Sequence, residues 1–118
     1  MIEVEVIKYL KGKTSAGNHV YAEKPKCHPA KYILIEKTGS STENMITTST
    51  IAVQSIEDSL RSGTMLDVMK LNEEVKEVML EIITEDYVSK CALNSDYNFT
   101  DNSTKEYRYQ AVFQITHY

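Results

Sequence analysis

The side chains best suited to chemistry in this 118-residue chain are two cysteines, three histidines and a scatter of carboxylates. Cys27 and His28 are adjacent, the one local pair that suggests metal or thiol chemistry. A zinc site takes about four ligands, usually from paired short spacings. There is no C-x-x-C, no H-x-x-x-H and no second cluster, so the pair reads as a loop residue beside a free thiol, and no metal is expected. A Cys–His nucleophile needs no closeness in sequence. It would require His19 or His117 to converge on Cys27 or Cys91, and no spacing points there.

Carboxylates used as an acid–base pair need one partner shielded in an apolar pocket. Glu43, Glu57, Asp58 and Glu73-Glu74 fall where loops or a solvated helix face are expected, without such shielding. The glycines Gly12, Gly17, Gly39 and Gly63 are isolated, so no phosphate-cradling loop is present. Ser62-Gly63 lacks the context of a nucleophile elbow. No catalytic residue, metal or cofactor is expected.

The net charge is −4 and the pI near 5.4, with 13 basic residues among 17 acidic ones. The densest basic stretch, Lys24, Lys26 and Lys31, is broken by prolines, which argues against specific nucleic-acid binding. Apolar residues make up 42% and charged residues 25%, an ordinary globular balance. A single domain over residues 1–118 is expected, burying roughly two-thirds of its unfolded surface without metal or disulfide staples. No apolar run approaches the roughly 20 residues that span a bilayer. Glu3 and Glu5 stand where a signal peptide needs basic and apolar regions. The expected setting is a cytoplasm, with Cys27 and Cys91 as free thiols and a disulfide as the alternative. The sequons Asn98-Phe99-Thr100 and Asn102-Ser103-Thr104 read as polar loop.

The elements that would position these groups follow from periodicity. Residues 2–11 alternate like a strand at Ile2, Val4 and Val6. Val6, Ile7 and Leu10 also make a helical stripe that Gly12 would stop, and helix is preferred. A loop over 12–19 leads to a short strand, Val20–Glu23. Pro25 and Pro29 then make a connection or a sheet edge. Tyr32–Lys37 is a strand rich in β-branched residues. Thr38–Asn44 reads as a polar, flexible hairpin tip, and Met45–Ile56 as a long returning strand. A helix is expected over 64–82, with Met65, Val68, Met69, Val75, Met79 and Ile82 on its apolar face. Residues 85–94 form a fair strand, and Asn94–Ser103 a second polar tip. Tyr107–Ile115 alternates cleanly, with Tyr107, Tyr109, Ala111, Phe113 and Ile115 facing one way. The eight tyrosines leave two readings open. Tyr107, Tyr109 and Tyr118 line a subunit contact, or they cover the sheet core.

The fold expected is α+β: an antiparallel sheet of four to five strands, packed by a central amphipathic helix and an N-terminal helix, in the order α-β-β-β-α-β-β. Val20-Tyr21-Ala22-Glu23-Lys24-Pro25, then Tyr32-Ile33-Leu34-Ile35-Glu36, resembles the opening of tail-terminator or tail-completion proteins of long-tailed bacteriophages. The closing Tyr107-Arg108-Tyr109-Gln110-Ala111-Val112-Phe113 is similar to their last strand, and the likeness in element order covers nearly the whole chain. The bridge Glu57-Asp58-Ser59-Leu60-Arg61-Ser62 departs from the pattern and leaves the helix start open over several residues.

The resemblance implies a structural role. Such proteins form a sixfold ring on the head-proximal end of the tail tube, stop tube polymerisation and present a surface to the head connector. The implied partners are further copies of the chain, monomeric or ring-forming before assembly, a tail tube protein and a head connector or stopper protein, with no membrane. The implied location is the host bacterial cytoplasm during assembly and then the tail or neck of the virion. The residues expected at the contacts are Thr38, Gly39, Ser40, Ser41, Thr42, Glu43 and Asn44 on one tip. Tyr97, Asn98 and Phe99 mark the other, with Tyr107 and Tyr109 nearby. Competing readings are a head-completion or other minor tail or neck protein, a small ligand-binding module, and a thiol hydrolase.

Overall fold

The N-terminal segment resolves its two competing periods as a helix, α1, Ile2–Leu10, because Ile2, Val6, Tyr9 and Leu10 can then be buried together. The computed structural model describes residues 2–23, 30–43, 45–58, 64–98, 100 and 106–117. Gly12 follows α1 in the left-handed region, at φ 79°, a turn that glycine makes without a Cβ penalty. Five strands follow: β1, Val20–Tyr21; β2, Lys31–Glu43; β3, Ile46–Asp58; β4, Val88–Asn98; and β5, Glu106–His117. Helix α2, Met65–Leu80, and a 3₁₀ turn, Ile82–Thr84, lie between β3 and β4.

The sheet order is β1-β2-β3-β5-β4, so the α+β class and the element order agree with the pattern in the sequence. The sheet is mixed rather than wholly antiparallel. β1 runs parallel to β2, with Val20 beside Ile33 and Tyr21 beside Leu34. A parallel pair normally needs a long crossover. Here β1 is so short that the chain has only a few residues of height to recover before β2 begins. The remaining pairs, β2·β3, β3·β5 and β4·β5, are antiparallel.

Helix α2 starts at Thr64, whose Oγ1 accepts from the Asp67 amide at 3.1 Å and satisfies one of the orphan donors of the first turn. Its buried stripe is Val68, Leu71, Asn72, Val75 and Met79. This corrects the expected face at one end. Met69 stands about 100° round the helix from Val68 and is 42% exposed. Leu71 falls within the stripe instead. The α-helix ends at Leu80, and Ile82 is buried from the 3₁₀ turn.

Both helices pack on one face of the sheet. Ile33, Ile35, Ile51, Val53, Ala111, Phe113 and Ile115 meet Val6, Leu10, Leu71, Val75 and Met79 there. Each such side chain contributes roughly 1.5–3 kcal/mol on full burial. The other face is not simply solvated, since Tyr32, Ala52, Ile56 and Glu106 are also buried. The strands outrun the helices. From Glu36 to Glu43 every residue of β2 is exposed, and the molecule measures 48 × 25 × 25 Å.

Candidate functional site

The most distinctive surface is the far end of the β2–β3 hairpin. Thr38, Gly39, Ser40, Ser41, Thr42 and Glu43 belong to β2 and pair with β3 up to the Glu43–Ile46 rung. Their composition predicts a flexible polar tip, and the structure makes them strand. The reason lies in the partner: Thr47, Thr48 and Thr50 offer β-branched residues and a full ladder, which overrides the polar composition of β2. Hydroxyls tie the arm crosswise. Thr42 Oγ1 lies 2.9 Å from Thr47 Oγ1, and Thr48 Oγ1 lies 3.4 Å from Thr116 Oγ1. A register shift between Lys37 and Gly39 marks a bulge, which adds local twist.

Two residues, Asn44 and Met45, join the strands. Asn44 lies outside the described residues. Met45 sits at φ 67° and is 90% exposed. A non-glycine residue in the left-handed region is uncommon, and here it holds a large apolar side chain out in water at the apex. The sequence pattern predicts a strand from Met45, and the structure begins it at Ile46. The apolar residue between polar Asn44 and a threonine-rich run is the signal that could have marked it.

The second expected patch also differs from a loop. Asn94–Asn98 continue β4, while Phe99 and residues 101–105 lie outside the described residues. The side chain of Tyr97 is exposed and accepts from Gln110 Nε2 at 2.5 Å. Asn98 Oδ1 accepts from the Thr100 amide at 2.9 Å. Tyr107 and Tyr109 are half-buried on β5. Asn98 pairs with Tyr109, which pairs with Ser55. The tip of the first patch, at the Ile46 rung, therefore lies nine rungs, about 30 Å, from the Ser55 rung of the second, and their near edges, at Thr50 and Gln54, lie four rungs, about 13 Å, apart along the strands. The expected contact residues are not brought together but placed at opposite ends of one sheet.

The candidate chemistry is dispersed. Cys91 is half-buried on β4, and burial pushes its thiol up to about 11, so little nucleophilic thiolate forms near neutrality. His19, beside β1 at the far side of the sheet, contacts the Tyr21 hydroxyl through Nδ1 at 3.0 Å. His117 Nε2 lies 2.8 Å from Ser49 Oγ, but Ser49 is 1% exposed, which closes that oxygen to a substrate. The pair acts as a cross-strand tie. Cys27 and His28 lie outside the described residues, as do Ser62, Gly63 and Tyr118. Among the described residues no cluster of three or more His, Cys, Asp or Glu could hold a metal ion.

One carboxylate corrects the solvated reading. Glu57 is in β3, not in a loop, and is 4% exposed. Desolvation raises its pKa above the ordinary value; Lys31 opposes the shift and Asp67 adds to it. Such shielding suits an acid–base residue, yet its low exposure leaves no approach for a substrate. Among the described residues no helix is long and apolar enough to cross a membrane. No known protein-family model matches the chain, and no curated protein matches its sequence.

Proposed function

We propose that this chain is a structural virion protein that closes into a ring at the head-proximal end of a phage tail tube, ends tube polymerisation and joins the tail to the head connector. One observation carries the reading: a single sheet places the two candidate contact patches towards opposite ends of its strands, with about 30 Å from the hairpin tip to the Asn98–Tyr109 rung. A joint between two bodies needs a surface at each end and a rigid spacer between them. The hydroxyl-lined arm capped by Met45 is one surface, and the tyrosine-bearing end at Tyr97, Tyr107 and Tyr109 is the other. The resemblance in element order supplies the identity of the two bodies, tube and connector, and the sixfold count of the ring.

The test is a matched shortening of the arm. Removing Thr42–Glu43 together with Ile46–Thr47 takes out two rungs and preserves the alternation of faces on both strands. The shortened chain should fold, and phage carrying it should accumulate tails unjoined to heads. Loss of the whole protein should yield overlong tubes in electron micrographs. Normal joining by the shortened chain defeats the proposal. Full heads that leak DNA, with tubes of normal length, would point instead to a head-completion protein.

A further inference from the structure

Both long edges of the sheet are open over the same stretch of height. β1 covers β2 only at Ile33 and Leu34, so among the described residues no strand pairs with the outer side of β2 from Ile35 to Glu43. On the other side of the sheet, none pairs with the outer side of β4. The rungs of β3 give a common scale. The open part of β2 runs beside Val53 to Ile46, and β4 spans the levels of Ser55 to Thr47. Unpaired edges of this length are templates for another strand unless blunted.

The directions also agree. β2 is antiparallel to β3, β3 to β5 and β5 to β4, so β2 and β4 run opposite ways. A neighbour related by rotation about an axis inclined only moderately to the strands keeps those directions. Its β2 then meets β4 of the first copy in antiparallel sense, and the contact is head-to-tail, the kind that generates rings.

We infer that copies of this chain assemble by sheet continuation, the arm edge of β2 in one copy pairing with β4 of the next. This deepens the proposed ring and rests on that reading for closure alone. Charge selects the register. Sliding β2 two rungs along β4 sets Glu43 opposite Lys90 and, with the bulge residues Thr38 and Asn94 omitted, Gly39 opposite Ser95 and, five rungs from the first pair, Lys37 opposite Asp96. Each charged pair then shares a face. Glu43 and Lys90 align with the face of Ile46 and Thr116, away from the helices. Lys37 and Asp96 align with Ile51 and Ala111, on the helix side. Asp96 already takes Lys76 Nζ at 3.0 Å and Asn72 Nδ2 at 3.1 Å through Oδ2, which holds its carboxylate at the edge. Lys37 Nζ lies 3.8 Å from Glu3. A two-rung offset at each junction is also what a closing sheet requires, since strands in a closed sheet tilt and stagger.

The test traps the pairing in the full chain. In a Cys27→Ser, Cys91→Ala background, Glu43→Cys and Lys90→Cys are combined. Directly opposed residues have Cα atoms about 4.5–5.5 Å apart, within the roughly 4.4–6.8 Å that a disulfide accepts. Mild oxidation should give a covalent ladder that ends at a closed ring, and each single-cysteine variant should stay uncrosslinked. In the unmodified background, Glu43→Lys or Lys90→Glu should each weaken association about twofold to fivefold, and the two together should restore it. Closed rings by native mass spectrometry without the cross-link overturn the edge pairing and leave the ring reading standing. Cross-linked open filaments support the pairing and overturn the ring. A species that stops at the dimer, or a chain that stays monomeric and uncrosslinked up to millimolar concentration, overturns the inference.

Discussion

Tyr32 on β2 donates its hydroxyl proton to Glu106 on β5 at 2.5 Å, reaching over β3, which lies between them. The other carboxylate oxygen of Glu106 takes Arg108 Nη2 at 3.0 Å. A buried carboxylate is costly unless hydrogen-bonded and paired, and this one is served by both devices. Tyr32→Phe removes the hydroxyl and keeps the ring. Stability should fall by about 1.5–3 kcal/mol, the usual contribution of a hydrogen bond to a charged group. Urea unfolding at neutral pH measures it, and an unchanged midpoint would show that the bond across β3 contributes nothing net.

Glu57 should make stability depend on pH in the less common direction. Desolvation raises its folded pKa above the ordinary 4.5, against Lys31 and with Asp67. Between the ordinary and the raised value the folded chain therefore binds more protons than the unfolded one. Stability from this group is greatest below the ordinary value and falls as pH rises through the raised one. Glu57→Gln should leave stability nearly unchanged at pH 4 and increase it at pH 8. Denaturant titrations of both proteins at the two pH values decide it; an equal effect at both would remove Glu57 as the cause.

The helix stripe can be tested residue by residue. Leu71→Ala should cost about 2–5 kcal/mol, since Leu71 is fully buried. Met69→Ala should stay within about 0.5 kcal/mol, as for exposed positions. Thr64→Ala should cost about 1 kcal/mol through loss of the cap on the Asp67 amide. Thermal unfolding of the three variants ranks them, and Met69→Ala costing as much as Leu71→Ala would contradict the placement of the stripe.

Cys91 should be a slow thiol. With its pKa pushed from 9.0 to about 11, its thiolate fraction near neutrality is about a hundredfold below that of an ordinary cysteine. In a Cys27→Ser variant, labelling by iodoacetamide should be slow at pH 7.5 and accelerate steadily up to pH 10. Rapid labelling at pH 7.5 would mean that the thiol is open to solvent and ionised.

What the sequence determined by itself was the set of local elements with one strong period. The stripe of Val68, Val75 and Met79 requires a helix, and the alternation from Tyr107 to Ile115 requires a strand, because each buries its apolar residues only at that spacing. Ile33 and Ile35 likewise declare a buried strand. The tertiary structure decided what became of segments without such a period. Thr38–Glu43 and Asn94–Asn98 are polar enough to pass for loops, and they are strands because β3 and β5 extend a ladder of backbone partners alongside them. The burial of Glu57 and Glu106, the parallel pairing of β1 and the roughly 30 Å from the hairpin tip to the Asn98–Tyr109 rung were equally invisible in the sequence. Each depends on which strands become neighbours and in what register, and pairing between residues far apart in the chain leaves no local pattern to read.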